Sequence, residues 1–309
     1  IGWDREVLWN SPKYPYSTPV LSLNDWVNTG MRPQPPAPTS GRSQHAQRSG
    51  LPPQPSRRSP VVAAAALQPD DHVLEVGPGR GALTAQLLAS PAASVQAVEL
   101  DRDLVAGLQQ RFAAEPRFQL QSGDVLALPQ LGDGERRPTT VVANIPYNIT
   151  GPLLERLVGR LDRPVEPPYQ RLVLLVQQEV ARRISARAGQ SSFSALSVRM
   201  QLLAHCRSVC PVPPRCFQPP PKVQSEVISL DPLPADQRPP QAVAKQVEHL
   251  LRLAFSARRK MVRNTLASAA PAVGLEAWLA DAGLTPQQRP QEIAAQQWVA
   301  LAAALQPAL

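Results

Sequence analysis

Apolar positions change period several times along this chain. From Val73 to Val76 they run almost unbroken around one acid, Glu75. Glycines follow at 77, 79 and 81, and Leu83, Leu87 and Leu88 then return at helical spacing. An apolar run, a Gly-rich turn and a 3.6-residue period predict strand, tight loop and helix. Further runs at Val95 to Asp101, Phe118 to Gln121, Thr140 to Ala143 and Arg171 to Val176 read as strands. Helix and strand alternate from Val61 onward, which predicts an α/β domain with a parallel sheet.

The pattern changes after the fifth strand. Gln177 to Arg187 reads as a helix with a basic face at Arg182, Arg183 and Arg187, and Ser194 to Leu203 as another. Cys206 to Val212 and Val223 to Leu230 read as closing strands, joined by a Pro-rich loop at 213–221. Pro232 to Pro240 has no apolar period and reads as a linker. Val243 to Phe255, Val262 to Ala269, Leu275 to Ala282 and Ile293 to Leu305 have helical spacing, punctuated by Gly283 and Pro286. The expected organisation is an α/β domain at 61–232 and a small all-helical domain at 238–309, with no internal repeat.

Candidate chemistry gathers at the ends of the first four strands. Glycine lacks a Cβ, so a loop with Gly77, Gly79 and Gly81 can turn sharply and lie close to a ligand. The loop lacks the Lys-Ser/Thr that grips a triphosphate, and it is tighter than the G-x-G-x-x-G dinucleotide fingerprint. Glu99 ends the second strand about 20 residues further on, where a carboxylate can accept from both hydroxyls of a ribose. Gly123-Asp124 ends the third strand and Asn144-Ile145-Pro146-Tyr147 follows the fourth. In an open parallel sheet, ligands lie outside the carboxyl ends of the strands. Each residue also has a plainer reading: a turn for Asn-x-Pro, a helix N-cap for Asp124, core for a lone aromatic. Glu75 could be structural or could orient the loop.

With Glu75-Val76-Gly77-Pro78-Gly79, Glu99-Leu100-Asp101, Gly123-Asp124 and Asn144-Ile145-Pro146-Tyr147, the chain resembles S-adenosylmethionine-dependent methyltransferases that act on the exocyclic amine of adenine. Three further stretches narrow the resemblance: 177–184, 213–223 (Pro213-Pro214-Arg215-Cys216-Phe217-Gln218-Pro219-Pro220-Pro221-Lys222-Val223) and 255–264. These are similar to the KsgA/RsmA-type rRNA adenine N6,N6-dimethyltransferases. The likeness runs from about Val61 to the end of the chain.

The resemblance implies a Rossmann-like class I methyltransferase sheet, its last two strands forming an antiparallel edge, with a helical C-terminal domain. It implies S-adenosyl-L-methionine as cofactor, held by Gly77 and Gly79 at the methionine portion, Glu99 at the ribose and Asp124 at the adenine amine, with Asn144 also in the cofactor-binding set. Asn144 and a backbone carbonyl near Ile145 and Pro146 would accept from the target amine. Tyr147 and Phe217 would stack on the extruded base. The implied reaction is dimethylation of two adjacent adenines near the 3′ end of small-subunit rRNA during ribosome assembly. Two alternatives share the fold: a large-subunit rRNA methyltransferase of the macrolide-resistance type, and a catalytically silent RNA-binding assembly or transcription factor.

Charge supports a polyanionic partner. Net charge is +8 and the pI about 10.0. The basic excess sits at the two ends; residues 240–309 carry seven basic against four acidic side chains. Arg258, Arg259, Lys260 and Arg263 form a cluster that is either a solvated face or a set of phosphate contacts. Cys206, Cys210 and Cys216 have no C-x-x-C spacing, so they read as core in a reducing compartment, with no metal site expected. No apolar run is long enough to span a bilayer. A cytoplasmic monomer without a membrane partner is expected.

Residues 1–60 stand apart. They hold seven basic and three acidic residues, and positions 33–60 are dense in Pro, Ser, Gln and Arg. Such a segment buries little apolar surface and is expected to be disordered. The family's Phe-Gly-Gln segment, which lines the cofactor pocket before the first strand, should fall near 40–55. Gly41-Arg42-Ser43-Gln44-His45-Ala46-Gln47-Arg48-Ser49-Gly50 stands there instead. An aberrant or out-of-frame segment would give this pattern.

Overall fold

The computed structural model describes residues 20–21, 59–132 and 136–305. The expectations for residues 1–60 therefore lie almost wholly outside the described residues. In chain order the strands are β1 (Val20–Leu21), β2 (His72–Val76), β3 (Ser94–Glu99), β4 (Phe118–Ser122), β5 (Thr140–Asn144), β6 (Gly159–Arg160), β7 (Arg163–Pro164), β8 (Arg171–Gln177), β9 (Ala204–Val212), β10 (Phe217–Gln218) and β11 (Ser225–Pro232). The helices are α1 (Pro60–Ala65), α2 (Ala82–Leu88), α3 (Arg102–Arg111), α4 (Thr150–Val158), α5 (Gln178–Ser185), α6 (Ala195–Leu203), α7 (Gln241–Phe255), α8 (Val262–Thr265), α9 (Leu275–Asp281) and α10 (Ala295–Ala303).

A seven-stranded sheet of order β4-β3-β2-β5-β8-β11-β9 organises the molecule. The first five strands in that order are parallel, while β11 pairs antiparallel with both β8 and β9. Strands covered on both faces read as continuous apolar runs, and β8, Arg-Leu-Val-Leu-Leu-Val-Gln, is an example. Its alternate residues feed two cores. Leu172, Leu174 and Val176 join one hydrophobic cluster with Leu74, Val141, Leu153 and Ile184. Val173 and Leu175 join the other, with Val61, Val62, Val73, Leu83, Leu87 and Val142. Sequence alternation thus sorts each strand between a layer led by α4, α5 and α6 and a layer led by α1 and α2.

The C-terminal helices pack on this core. Leu250, Leu251, Trp278, Leu279, Trp298 and Leu301 belong to the same cluster as Leu172 and Leu174. Trp278 and Trp298 are essentially fully buried, and each donates its indole N–H to a backbone carbonyl, of Leu301 and Ile293. The expected linker is also fastened. Leu233 N–H donates to the Leu203 carbonyl, and the Arg238 guanidinium reaches both the Leu233 carbonyl and Glu166.

Several boundaries differ from expectation. The helix at 177–187 ends at Ser185, whose hydroxyl bonds back to the Ala181 carbonyl. Arg187 therefore lies beyond the helix, and Arg183 is paired with Glu179, so the expected three-arginine helix face reduces to Arg182. The helix expected at 262–269 stops at Thr265 and continues as a single 3-10 turn over Ala267–Ala269, ahead of Pro271.

Candidate active site

The sheet presents the carboxyl ends of β2, β3, β4 and β5 along one edge, and the glycine loop, Glu99, Asp124 and Asn144 lie there. The β2–α2 loop turns through Gly77, Gly79 and Gly81, with φ of 68°, 59° and 77°. These are left-handed conformations that side-chain-bearing residues rarely adopt. A Cβ on Gly81 would lie 2.7 Å from Phe112 and 2.9 Å from Leu108, so this glycine admits the end of α3. A Cβ on Gly79 would meet nothing within 4 Å, so this stretch of backbone faces open space. A Cβ on Gly77 would lie 3.9 Å from the Asn144 carbonyl oxygen, so the loop runs against the end of β5.

Glu99 holds the loop. Its Oε2 accepts from the Gly79 N–H at 3.0 Å. Its Oε1 accepts from Leu100 and Asp101 at 2.9 and 3.0 Å. A carboxylate offers about four acceptor directions, so one on Oε2 remains after these three bonds. Asp124 is exposed, and its Oδ1 accepts from the Leu126 N–H at 2.8 Å. It caps a turn over 125–127, not a helix, and among the described residues no hydrogen bond engages its second oxygen.

Glu75 is a residue whose environment the sequence left open. It is 1% exposed and, among the described residues, neither carboxylate oxygen has a hydrogen-bond partner. The Thr84 hydroxyl on α2 is likewise buried and unpartnered. Desolvation by burial pushes the Glu75 carboxyl up to about 8. Thr84, close but outside hydrogen-bonding geometry, holds it down, while the Glu99 charge raises it further. Glu75 sits on the face of β2 that packs on α2, directly beneath the glycine loop.

At β5, Asn144 is half-buried and Ile145 wholly buried, with its N–H on the Leu175 carbonyl at 3.1 Å. Ile145 therefore anchors the motif in the core, and its side chain does not face the strand-end opening. Pro146 leads into a 3-10 turn over Tyr147–Ile149, and the Pro146 carbonyl takes the Ile149 N–H. The half-buried Tyr147 hydroxyl lies 2.6 Å from Ser225 Oγ on β11. Burial pushes its phenol pKa up and the Ser225 bond opposes that. Ser225 had no signal in the sequence, because only folding brings it 78 positions back to Tyr147.

Phe217 is placed differently from the others. Its ring is 3% exposed and packs in the α1–α2 cluster with Val212, Cys216 and Val227. Its backbone pairs with Leu21 of β1. The Cys206 and Cys210 thiols are pushed up to about 12 and about 11 by burial, and Cys216 is wholly buried. Arg258, Arg259 and Lys260 are exposed on the segment joining α7 to α8, and Arg263 is exposed on α8 itself. They are not equivalent, because Arg258 donates to the backbone carbonyls of Ser191 and Phe193.

A parallel sheet closed by an antiparallel β11–β9 edge, with Gly, Glu, Asp and Asn at successive strand ends, defines a class I methyltransferase. The ribosomal RNA adenine dimethylase family matches residues 58–306, and the chain belongs to that family. It is 99% identical over 249 residues to the ribosomal RNA small subunit methyltransferase A of Synechococcus sp. (strain RCC307), covering 81% of this chain and 91% of that one. The protein of the same name from Parasynechococcus marenigrum (strain WH8102) is 74% identical over 79% of this chain and 81% of its own length. Among solved structures, the 23S rRNA methyltransferase ErmE aligns at 27% identity and a TM-score of 0.61, over 79% of this chain and 95% of that one. A dimethyladenosine transferase from Plasmodium falciparum shares the fold at a TM-score of 0.62 and 24% identity, over 78% and 92% of the two chains. No helix among the described residues is long and apolar enough to cross a membrane.

Proposed function

We propose that this enzyme dimethylates N6 of two adjacent adenines near the 3′ end of small-subunit rRNA, with S-adenosyl-L-methionine as donor. The observation that carries the substrate assignment is the 99% identity over 249 residues to a protein named for the small ribosomal subunit. It favours that reading over the large-subunit one, since ErmE is only 27% identical. The reaction would take place in the cytoplasm, on an assembling ribosomal particle, with the enzyme acting as a monomer.

The strand-end residues fit the cofactor. The backbone at Gly79 faces open space that a side chain would fill, and Glu99 keeps one acceptor direction for a ribose hydroxyl. Gly77 and Gly79 would admit the methionine portion, and the free oxygen of Asp124 would take the adenine amine. When bound, S-adenosylmethionine supplies a methyl group on a sulfonium, which needs no metal and no covalent enzyme intermediate. The enzyme's task is positioning. Adenine N6 is a poor nucleophile because its lone pair is delocalised into the ring. The Asn144 side-chain oxygen and a carbonyl at Ile145 or Pro146 would accept the N6 hydrogens, draw the nitrogen toward tetrahedral geometry and turn its lone pair to the glycine loop. Tyr147, pinned by Ser225, would be the first stacking face. Phe217 would join it only if the 213–224 loop moves, since its ring is now in the core.

Transfer of labelled methyl groups to small ribosomal subunits that lack the modification tests this reading. Two methyl groups on each of two adjacent adenines are expected. Label only in large-subunit rRNA, or cofactor binding with no transfer to either subunit, would replace it with one of the alternatives.

A further inference from the structure

The arginines of this protein fall into two sets. Arg171 is paired with Asp231 at 2.7 Å, Arg199 with Glu248 at 2.9 Å, and Arg183 with Glu179. Arg182, Arg187, Arg259 and Arg263 are exposed, and among the described residues no acid or carbonyl engages their guanidinium groups. Two acids on neighbouring elements are engaged by other groups. Glu179 is held by Arg183, and Glu292 accepts from the Arg289 N–H at 2.8 Å.

The fold joins these unpaired cations. Helix α5 starts at the rim of the site, where the Gln178 N–H donates to the Gln224 carbonyl at 2.9 Å, next to the Ser225 that holds Tyr147. Arg182 lies on that helix and Arg187 just past its end. The loop that follows is fastened to the C-terminal helices from both sides. Gly189 N–H donates to the Gln291 carbonyl at 2.7 Å, and Arg258 Nη2 donates to the Phe193 carbonyl at 2.9 Å. The bracket formed by Arg258 sets Arg259, Lys260 and Arg263 beside the loop that follows Arg187.

We propose that Arg182 and Arg187 are RNA-phosphate contacts, joining the active-site rim to the basic cluster at 259–263 in one backbone-binding track. In this arrangement Arg258 shapes the track and does not touch phosphate. The inference rests on the rRNA-methylating reading of the same site. Unpaired arginines fit phosphate oxygens because the guanidinium fork binds them in bidentate fashion without first giving up an ion pair.

The test is the salt dependence of binding to unmethylated small ribosomal subunits, for wild type, R182Q/R187Q and R183Q. Each lost phosphate contact lowers the slope of log K against log salt by about 0.7–0.9, so the double variant should lose roughly 1.4–1.8. R183Q removes an arginine from the same helix that is already paired, and should keep the wild-type slope. S-adenosylmethionine affinity should be the same in all three proteins. A wild-type slope in R182Q/R187Q, or an equal loss in R183Q, would overturn the inference. If wild type neither binds nor methylates the particles, the underlying functional reading has failed instead.

Discussion

The Gly79 N–H points at Glu99 Oε2 from 3.0 Å, so the acid assigned to a ribose also closes the loop that would hold the methionine portion. Two strand ends are thus coupled through one carboxylate. With the Leu100 and Asp101 N–H groups on its other oxygen, Glu99 is a loop support as well as the proposed ribose acceptor.

Glu99→Ala should therefore do more than Asp124→Ala. Removing Glu99 leaves three N–H groups without their acceptor at a nearly buried site, which costs about 1–3 kcal/mol for each that stays dry. Asp124 is exposed and caps one N–H. Both variants should bind S-adenosylmethionine at least about tenfold more weakly, about 1.4 kcal/mol each. Only Glu99→Ala should lower the melting temperature markedly. Calorimetry and thermal unfolding on the two variants check this, and unchanged affinity in both would remove the cofactor assignment.

Stability should depend on pH through Glu75. The folded carboxyl holds its proton up to about 8, against an ordinary value of 4.5. Between those values the native state binds a proton that the unfolded chain has released, so stability falls as pH rises through this window. The slope from one such group is about 1.4 kcal/mol per pH unit. Glu75→Gln cannot ionise and should flatten the profile between about pH 5 and about pH 8. Urea unfolding across that range measures it, and an equally steep fall in the variant would assign the pH dependence to other groups.

Asn144→Ala should separate chemistry from binding. Loss of a positioned acceptor at the reacting nitrogen predicts methyl transfer slowed by at least about 100-fold. Cofactor affinity should stay near normal, because the contacts assigned to the cofactor come from β2, β3 and the turn after β4. Single-turnover methylation and calorimetry give the two readouts, and full turnover would exclude Asn144 as the N6 acceptor.

Arg258→Ala should behave as a structural variant. It leaves the Ser191 and Phe193 carbonyls without their donor, at a cost of about 1–3 kcal/mol if they stay desolvated. Arg259→Ala, with no such partners, should leave stability within about 0.5 kcal/mol of wild type. Chemical denaturation of the two variants decides between a bracket and a plain surface cation.

Much of the architecture was legible before any coordinates. Leu172–Val176 is a continuous apolar run, and Val73–Val76 is broken only by Glu75, because both faces of those strands are covered. The turn at Gly77, Gly79 and Gly81 was legible because those φ values leave glycine as the natural choice. The order of Gly, Glu, Asp and Asn at successive strand ends followed from the same local signals, since every parallel strand must finish on the same edge. Arg187 was misassigned to the helix because its basic spacing continues the pattern past Ser185, where the helix ends.

What the fold alone decided depends on side chains distant in sequence. Nothing near Glu75 says that its carboxylate is without a partner; that follows from burial against Thr84 and α2. Nothing near Tyr147 points to Ser225, because β11 enters the sheet antiparallel beside β8. The run Arg258-Arg259-Lys260 reads as three like charges. Only the docking of the α7–α8 segment on the loop before α6 gives the first of them two carbonyls and leaves the others to solvent. Periodicity and glycine placement are properties of a chain segment, so the sequence determined the elements and the strand-end chemistry. Burial, partnering and charge availability arise between segments, so only the tertiary structure could decide which of those residues are supports and which remain open to a ligand.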